Sequence, residues 1–196
     1  GGSLTDIKSA LEDHGLIVPT VIALHGWLNT TGDAHIQAIE EAKRRMNQAI
    51  SIGSQRIVAS PPMEKADLEL GGKNYHELLE IGRELGISPS MEFLGFVQGV
   101  NQVKDAWKII ENANHPDSTI VLDPFHIFRG GGEAEDMQEI PAEKISVFHF
   151  NSVPIKYIIL LPHITIGTSS MTINSSQGKH STDSGVISYF RPLHPP

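Results

Sequence analysis

The stretch Thr119-Ile120-Val121-Leu122-Asp123-Pro124-Phe125-His126 decides the fold, together with Arg129 and the Gly130-Gly131-Gly132 run behind it. An apolar, β-branched run that ends in a carboxylate and an imidazole, then passes into glycine, reads as a buried strand opening into a site at the mouth of a parallel β/α fold. Packing alone gives a core strand no reason to end in this way.

Outward from this stretch, short β-branched runs alternate with longer segments of helical periodicity across residues 5–150, the pattern of βα units around a parallel sheet. Strands are predicted at 21–24, 56–59, 90–93, 119–122 and 145–150, and helices at 4–14, 34–52, 74–85 and 103–112. Gly53 and Gly86 follow two of these helices as stop signals. Gly71-Gly72-Lys73 lacks phosphate-loop spacing and follows no strand, so it reads as a linker. Ser60-Pro61-Pro62 reads as a rigid turn. The fold class expected is α/β, an incomplete (β/α)8 TIM barrel, because 196 residues fall short of the roughly 250 of a typical complete one.

Composition narrows the chemistry. A net charge of −8 and a pI near 5.6 argue against a phosphate-backbone binder, so no nucleic acid is expected as partner. No segment approaches the roughly 18 apolar residues of a membrane span, so no membrane partner is expected and the default location is cytoplasmic. Without cysteine, a metal must be held by Asp, Glu, His or carbonyl oxygen. Of the 23 acidic residues only Asp183 lies beyond position 150, and the remainder of that stretch is rich in Ser, Thr, Ile and Pro. The expected organisation is therefore a partial barrel domain over 1–150 and an atypical tail over 151–196, disordered or a non-native ending.

Polar groups recur at the strand ends: His25, Glu92, Asp123 with His126, and His149. A hard divalent cation needs such a mixture of carboxylate and neutral imidazole brought together from separate strands, and Glu92, Asp123 and His149 are the candidate ligands. Each has a plainer reading. Glu92 could be one half of a buried ion pair, Asp123 a helix-capping acid, and His149 a hydrogen-bonded core histidine. His126 is either a substrate contact or a loop histidine bonded to the backbone. His25 fits pocket lining better than metal. Arg129, ahead of its glycines, suits either an anionic substrate group or an ordinary surface loop.

Ile120 to His126 with the following Arg-Gly-Gly-Gly, Met91-Glu92-Phe93-Leu94-Gly95-Phe96, and Val147-Phe148-His149-Phe150-Asn151 together resemble the sugar phosphate isomerase/epimerase family. These are xylose-isomerase-like barrels that include inosose isomerase/dehydratases and ketose 3-epimerases. The resemblance covers residues 5–150 and implies a chain running from the second helix to the seventh strand of the barrel. It implies that Glu92, Asp123 and His149 are metal ligands, that Glu92 also acts as acid/base, and that His126 contacts substrate oxygen. Gln98 falls where ketose epimerases carry a substrate-binding glutamate, and Ser152 where the family often has Asp. The family's eighth-strand glutamate has no counterpart, since no glutamate follows Glu143. The implied cofactor is a divalent metal (Mn, Zn, Mg or Co), weakly bound, and the implied activity is proton abstraction beside a carbonyl of a small sugar or polyol, impaired by the missing ligand. Two other readings stand beside it. One is a non-catalytic barrel fragment that forms a homo-oligomer through open sheet edges; the other is an endonuclease IV-like nuclease, which the acidic composition disfavours.

Overall fold

The structure, a computed structural model, describes residues 2–150 and the strand at 187–190. Five strands run parallel in chain order: β1 (Val21–Leu24), β2 (Arg56–Ala59), β3 (Ser88–Met91), β4 (Ile120–Leu122) and β5 (Ile145–Phe150). After α1 (Leu4–Asp13), the crossovers are α2 (Gly32–Ser51), α3 (Leu68–Leu85), α4 (Val103–Ala113) and the short α5 (Pro124–Arg129). This is the βα repeat of an α/β TIM barrel. A sixth strand, β6 (Ile187–Phe190), pairs with β5 antiparallel. It was not anticipated, and the residues at 151–186, including the apolar run at 157–161 and Asp183, lie outside the described residues.

The helices form where apolar spacing and end signals agree. Along α4, Val103, Ala106, Ile109, Ile110 and Ala113 are buried at three- and four-residue intervals, so one stripe faces the sheet. Its start is held reciprocally by Gln102 and Asp105, and its end by Asn114 in the left-handed region at φ 45°. In α3 the Asp67 carboxylate accepts hydrogen bonds from the amides of Glu69 and Leu70, and Gly86 closes the last turn at φ 78°. α3 begins at Leu68, so Gly71-Gly72-Lys73 is no linker but lies within its second turn. Both glycines are buried at helix contacts: a methyl on Gly71 would meet the Leu28 side chain at 3.0 Å, and one on Gly72 would overlap Asn112 of α4. At Gly72 the approach of α4 leaves no room for a side chain, and at Gly71 the loop residue Leu28 takes up the space.

Strand alternation divides the sheet into two faces. Ile57, Ala59, Met91, Phe93, Ile120, Leu122 and Phe148 belong to the main core beneath the helices, whereas Ala23, Val58, Val121 and Val147 form a small separate cluster inside the barrel. The β5 register changes the phase once: Ile120 pairs with Ile145 but Val121 pairs with Val147, so Ser146 is an extra residue. That bulge is pinned by the Ser146 hydroxyl, 2.9 Å from Ser90 Oγ and 3.1 Å from the Ile120 carbonyl. Ile145 and Phe148 therefore both join the outer core, and Val147 turns inward.

Candidate metal centre

Two residues beyond Val58, Val121 and Val147 of the inner cluster stand Ser60, Asp123 and His149, and two beyond the buried Ser90 of β3 stands Glu92. Period-two alternation keeps them on the inner face, at the C-terminal ends of β2, β3 and β4 and within β5, where barrel enzymes place their chemistry. Glu92 follows β3 rather than lying inside it, because the strand begins and ends two residues earlier than the sequence suggests. Without the Ser146 bulge, His149 would share the outward phase of Ile145.

Glu92, Asp123 and His149 are all buried, and a donor atom from each lies within 4.8 Å of the others. His149 Nδ1 is 3.5 Å from Glu92 Oε1 and 3.7 Å from Asp123 Oδ2. Two atoms that share an ion at about 2.1 Å are separated by roughly 3.0–3.4 Å for octahedral or tetrahedral angles. The observed separations approach that range, and the donor set of two carboxylates with one imidazole suits Zn, Mn, Mg or Co. Two buried acids close together also need a compensating positive charge. The residues present therefore fit a divalent ion.

Both carboxylates divide their oxygens between two tasks. Asp123 Oδ1 accepts the Phe125 amide at 2.9 Å and caps α5, which has Pro124 in its first turn, while Oδ2 faces His149 and lies 3.9 Å from His126 Nε2. The capping reading of Asp123 is realised, and its second oxygen is left on the side of His149. Glu92 Oε2 accepts the Ser60 hydroxyl at 3.3 Å, while Oε1 faces His149. The sequence reads Ser60 only as part of a turn; its position one strand over from Glu92, in a register that pairs Ala59 with Met91, is invisible there.

His126 sits in α5, not in a loop, and its buried Nδ1 has no hydrogen-bond partner among the described residues. Its ring packs edge-on between Phe96 at 5.6 Å and Phe125 at 5.4 Å. Arg129 is exposed, with its guanidinium 5.7 Å from the Phe96 ring centre. Gln98 is exposed in the loop after β3, where its backbone N–H donates to the Met63 carbonyl at 3.0 Å. His25 is exposed directly after β1. None of these last three belongs to the buried cluster.

Comparison with known proteins identifies the fold family. The family model for the xylose isomerase-like TIM barrel matches residues 2–168. A 3-dehydroshikimate dehydratase of Pseudomonas putida is 20% identical over 157 residues, covering 79% of this chain and 25% of that protein. The crystal structure of the IOLI protein with a binding zinc atom superposes with a TM-score of 0.65 at 26% identity, covering 74% of this chain and 54% of that one. An L-ribulose 3-epimerase gives a TM-score of 0.62 at 14% identity over 74% of this chain and 54% of that one. The chain thus spans about a quarter of the length of the curated relatives and about half that of these solved structures. With a family model matching most of its length, and an inner-face cluster at the strand ends of a parallel βα sheet, the chain belongs to the xylose isomerase-like TIM barrel family.

Proposed function

We propose that this chain carries the metal-binding side of an isomerase, epimerase or dehydratase that removes a proton beside the carbonyl of a small hydroxylated ketone. The observation that carries the reading is the convergence of Glu92, Asp123 and His149 in one buried cluster. Those three residues would hold a divalent ion. When bound, it polarises the substrate carbonyl and lowers the cost of the negative charge left by the departing proton.

Glu92 is the base in this reading, its carboxylate kept dry in the barrel mouth, where a proton-accepting oxygen is most effective. Asp123 is fixed by its α5 cap and cannot swing away. His126, whose Nε2 lies 3.9 Å from Asp123 Oδ2, offers that ring nitrogen to a substrate oxygen. His25, Gln98 and Arg129 are assigned to the approach to the site, on the strength of their exposure at and beyond the strand ends. With three protein ligands among the described residues, a bound ion would have positions left for substrate oxygens, as catalytic metal sites require. Support for the substrate class comes from the named relatives, a dehydratase of 3-dehydroshikimate and a 3-epimerase of L-ribulose, two hydroxylated ketones.

The test is proton wash-out. Mn²⁺-loaded protein is incubated in D₂O with ketoses, inososes and 3-dehydroshikimate, and the signal of the C–H beside the carbonyl is followed by NMR. Exchange that falls by about 10²–10⁴-fold in Glu92→Gln supports the reading. No exchange on any of these ketones by protein that has bound Mn²⁺ overturns it.

One observation favours a second reading, self-association: β1 is bonded on one side only among the described strands, and its Ile22 is 65% exposed. Sedimentation as a monomer at high concentration would dismiss that reading.

A further inference from the structure

We infer that Ser60 is a positioning residue that selects which oxygen of Glu92 is available as a ligand. This rests on the metal-centre reading above and goes beyond it, because Ser60 is not itself a candidate ligand. The Ser60 hydroxyl donates to Glu92 Oε2 at 3.3 Å, and both residues are buried, at 3% and 5% exposure. Glu92 Oε1 is the oxygen that faces His149, at 3.5 Å. A carboxylate on a three-bond stem can rotate its head and exchange its oxygens. A buried donor on one side removes that freedom and leaves one oxygen pointing at the neighbouring donors.

The backbone holds Ser60 in place for this task. Its amide donates to the Leu24 carbonyl at 3.1 Å, tying it to β1, and the Glu92 amide donates to the Ala59 carbonyl at 3.1 Å, tying β3 to β2 one residue away. Pro61 and Pro62 follow at once, and the residue before a proline is confined to extended backbone. Pro61, which reads as part of a turn in the sequence, thus also confines the backbone from which the hydroxyl projects. Asp123 solves the same problem differently, by giving Oδ1 to the α5 amide of Phe125. Each acid of the cluster has one oxygen occupied by a protein donor and the other turned toward His149, so both are set up as one-oxygen ligands.

The experiment compares wild type, Ser60→Ala and Ser60→Thr, each stripped with chelator, by Mn²⁺ titration calorimetry and by the visible absorption of added Co²⁺. Removing a group that orients a ligand weakens metal affinity by about 10–100-fold. Ser60→Ala is therefore expected to bind Mn²⁺ at least about tenfold more weakly and to show altered Co²⁺ bands, as Glu92 becomes free to bind through either or both oxygens. Ser60→Thr, which keeps the hydroxyl, should restore the wild-type spectrum. Wild-type affinity and an unchanged Co²⁺ spectrum in Ser60→Ala overturn the inference while leaving the metal centre standing. Equal loss in both variants overturns it too, because the hydroxyl would not be what matters. Absence of metal binding in wild type overturns both readings together. Should Ser60→Thr fail to fold, the Co²⁺ spectrum of Ser60→Ala alone decides.

Discussion

Replacing Gly72 by alanine sets two effects of opposite sign against each other. In an open helix the change is favourable by about 1 kcal/mol, because glycine is the poorer helix former. Here the new methyl would stand 2.9 Å from the Asn112 carbonyl carbon, closer still to Asn112 Cβ, and 3.1 Å from the Ala113 amide nitrogen. Carbon atoms settle at about 3.5–4.0 Å, so α3 and α4 must move apart by a large fraction of an ångström. Two of the opposing atoms are backbone and cannot rotate aside. Overpacking of this kind costs about 1–3 kcal/mol, and separation also strains the bond from Asn112 Nδ2 to the Leu68 carbonyl, 3.0 Å long. With the strained bond counted at about 1 kcal/mol, the penalty should exceed the propensity gain by about 1–3 kcal/mol, which for a chain of this size is a fall of roughly 2–12 °C in Tm. Thermal unfolding followed by circular dichroism reads this directly. A second arm, Gly72→Ala with Asn112→Gly, should lose less than the sum of the single changes, since the closest opposing carbon is gone. An unchanged or higher Tm in Gly72→Ala would refute the close approach of the two helices.

Asp123→Asn and Asp123→Ala should separate the two duties of that side chain. Both lose metal binding, but only the alanine variant also loses the α5 cap, worth about 1 kcal/mol, so its Tm should be the lower of the two; equal Tm values would contradict the cap. Tyr75 predicts an alkaline limit. Burial pushes its phenol above the usual tyrosine range, while its hydroxyl lies 3.1 Å from the Pro89 and Thr119 carbonyls. Because the folded value is above the unfolded one, the contribution is complete below about pH 10 and declines as pH rises further, by up to about 1.4 kcal/mol per pH unit. Tyr75→Phe should lose about 1 kcal/mol at neutral pH and show a flatter alkaline profile; parallel profiles for the two proteins would rule this out.

The parts of the fold legible in the sequence are those where local chemistry and tertiary packing agree. The β-branched runs at β1, β2 and β5 were bounded correctly, and α4 was bounded to within a residue by its apolar stripe. β3 was placed two residues late because Pro89 lacks an amide and reads as a strand breaker, although its carbonyl is used by Tyr75. α3 was begun six residues late because glycine signals a break in isolation, whereas Gly71 and Gly72 serve a contact with Leu28, Ile109 and Asn112 that only the folded chain supplies. α5 is too short for periodicity to register, though Asp123-Pro124 carries a cap followed by a first-turn proline.

The site divides along the same line. Glu92, Asp123 and His149 announced themselves because polar residues at the ends of buried runs lack a packing explanation, and the fold brings all three together. Ser60 gave no signal, since a serine before two prolines is an ordinary turn until its neighbour on the sheet is known to be Glu92. The Ser146 bulge was equally silent. A one-residue change of register cannot be read from a single strand, yet it aims His149 at the two carboxylates.

The most direct test of the account is calorimetric titration of Zn²⁺ or Mn²⁺ into the chelator-stripped 196-residue chain, repeated for Glu92→Gln, Asp123→Asn and His149→Ala. One ion per chain is expected in the wild type, with loss of that binding in each variant and the fold retained. Absence of binding in the wild type, or binding unchanged when any one of the three is replaced, would contradict it.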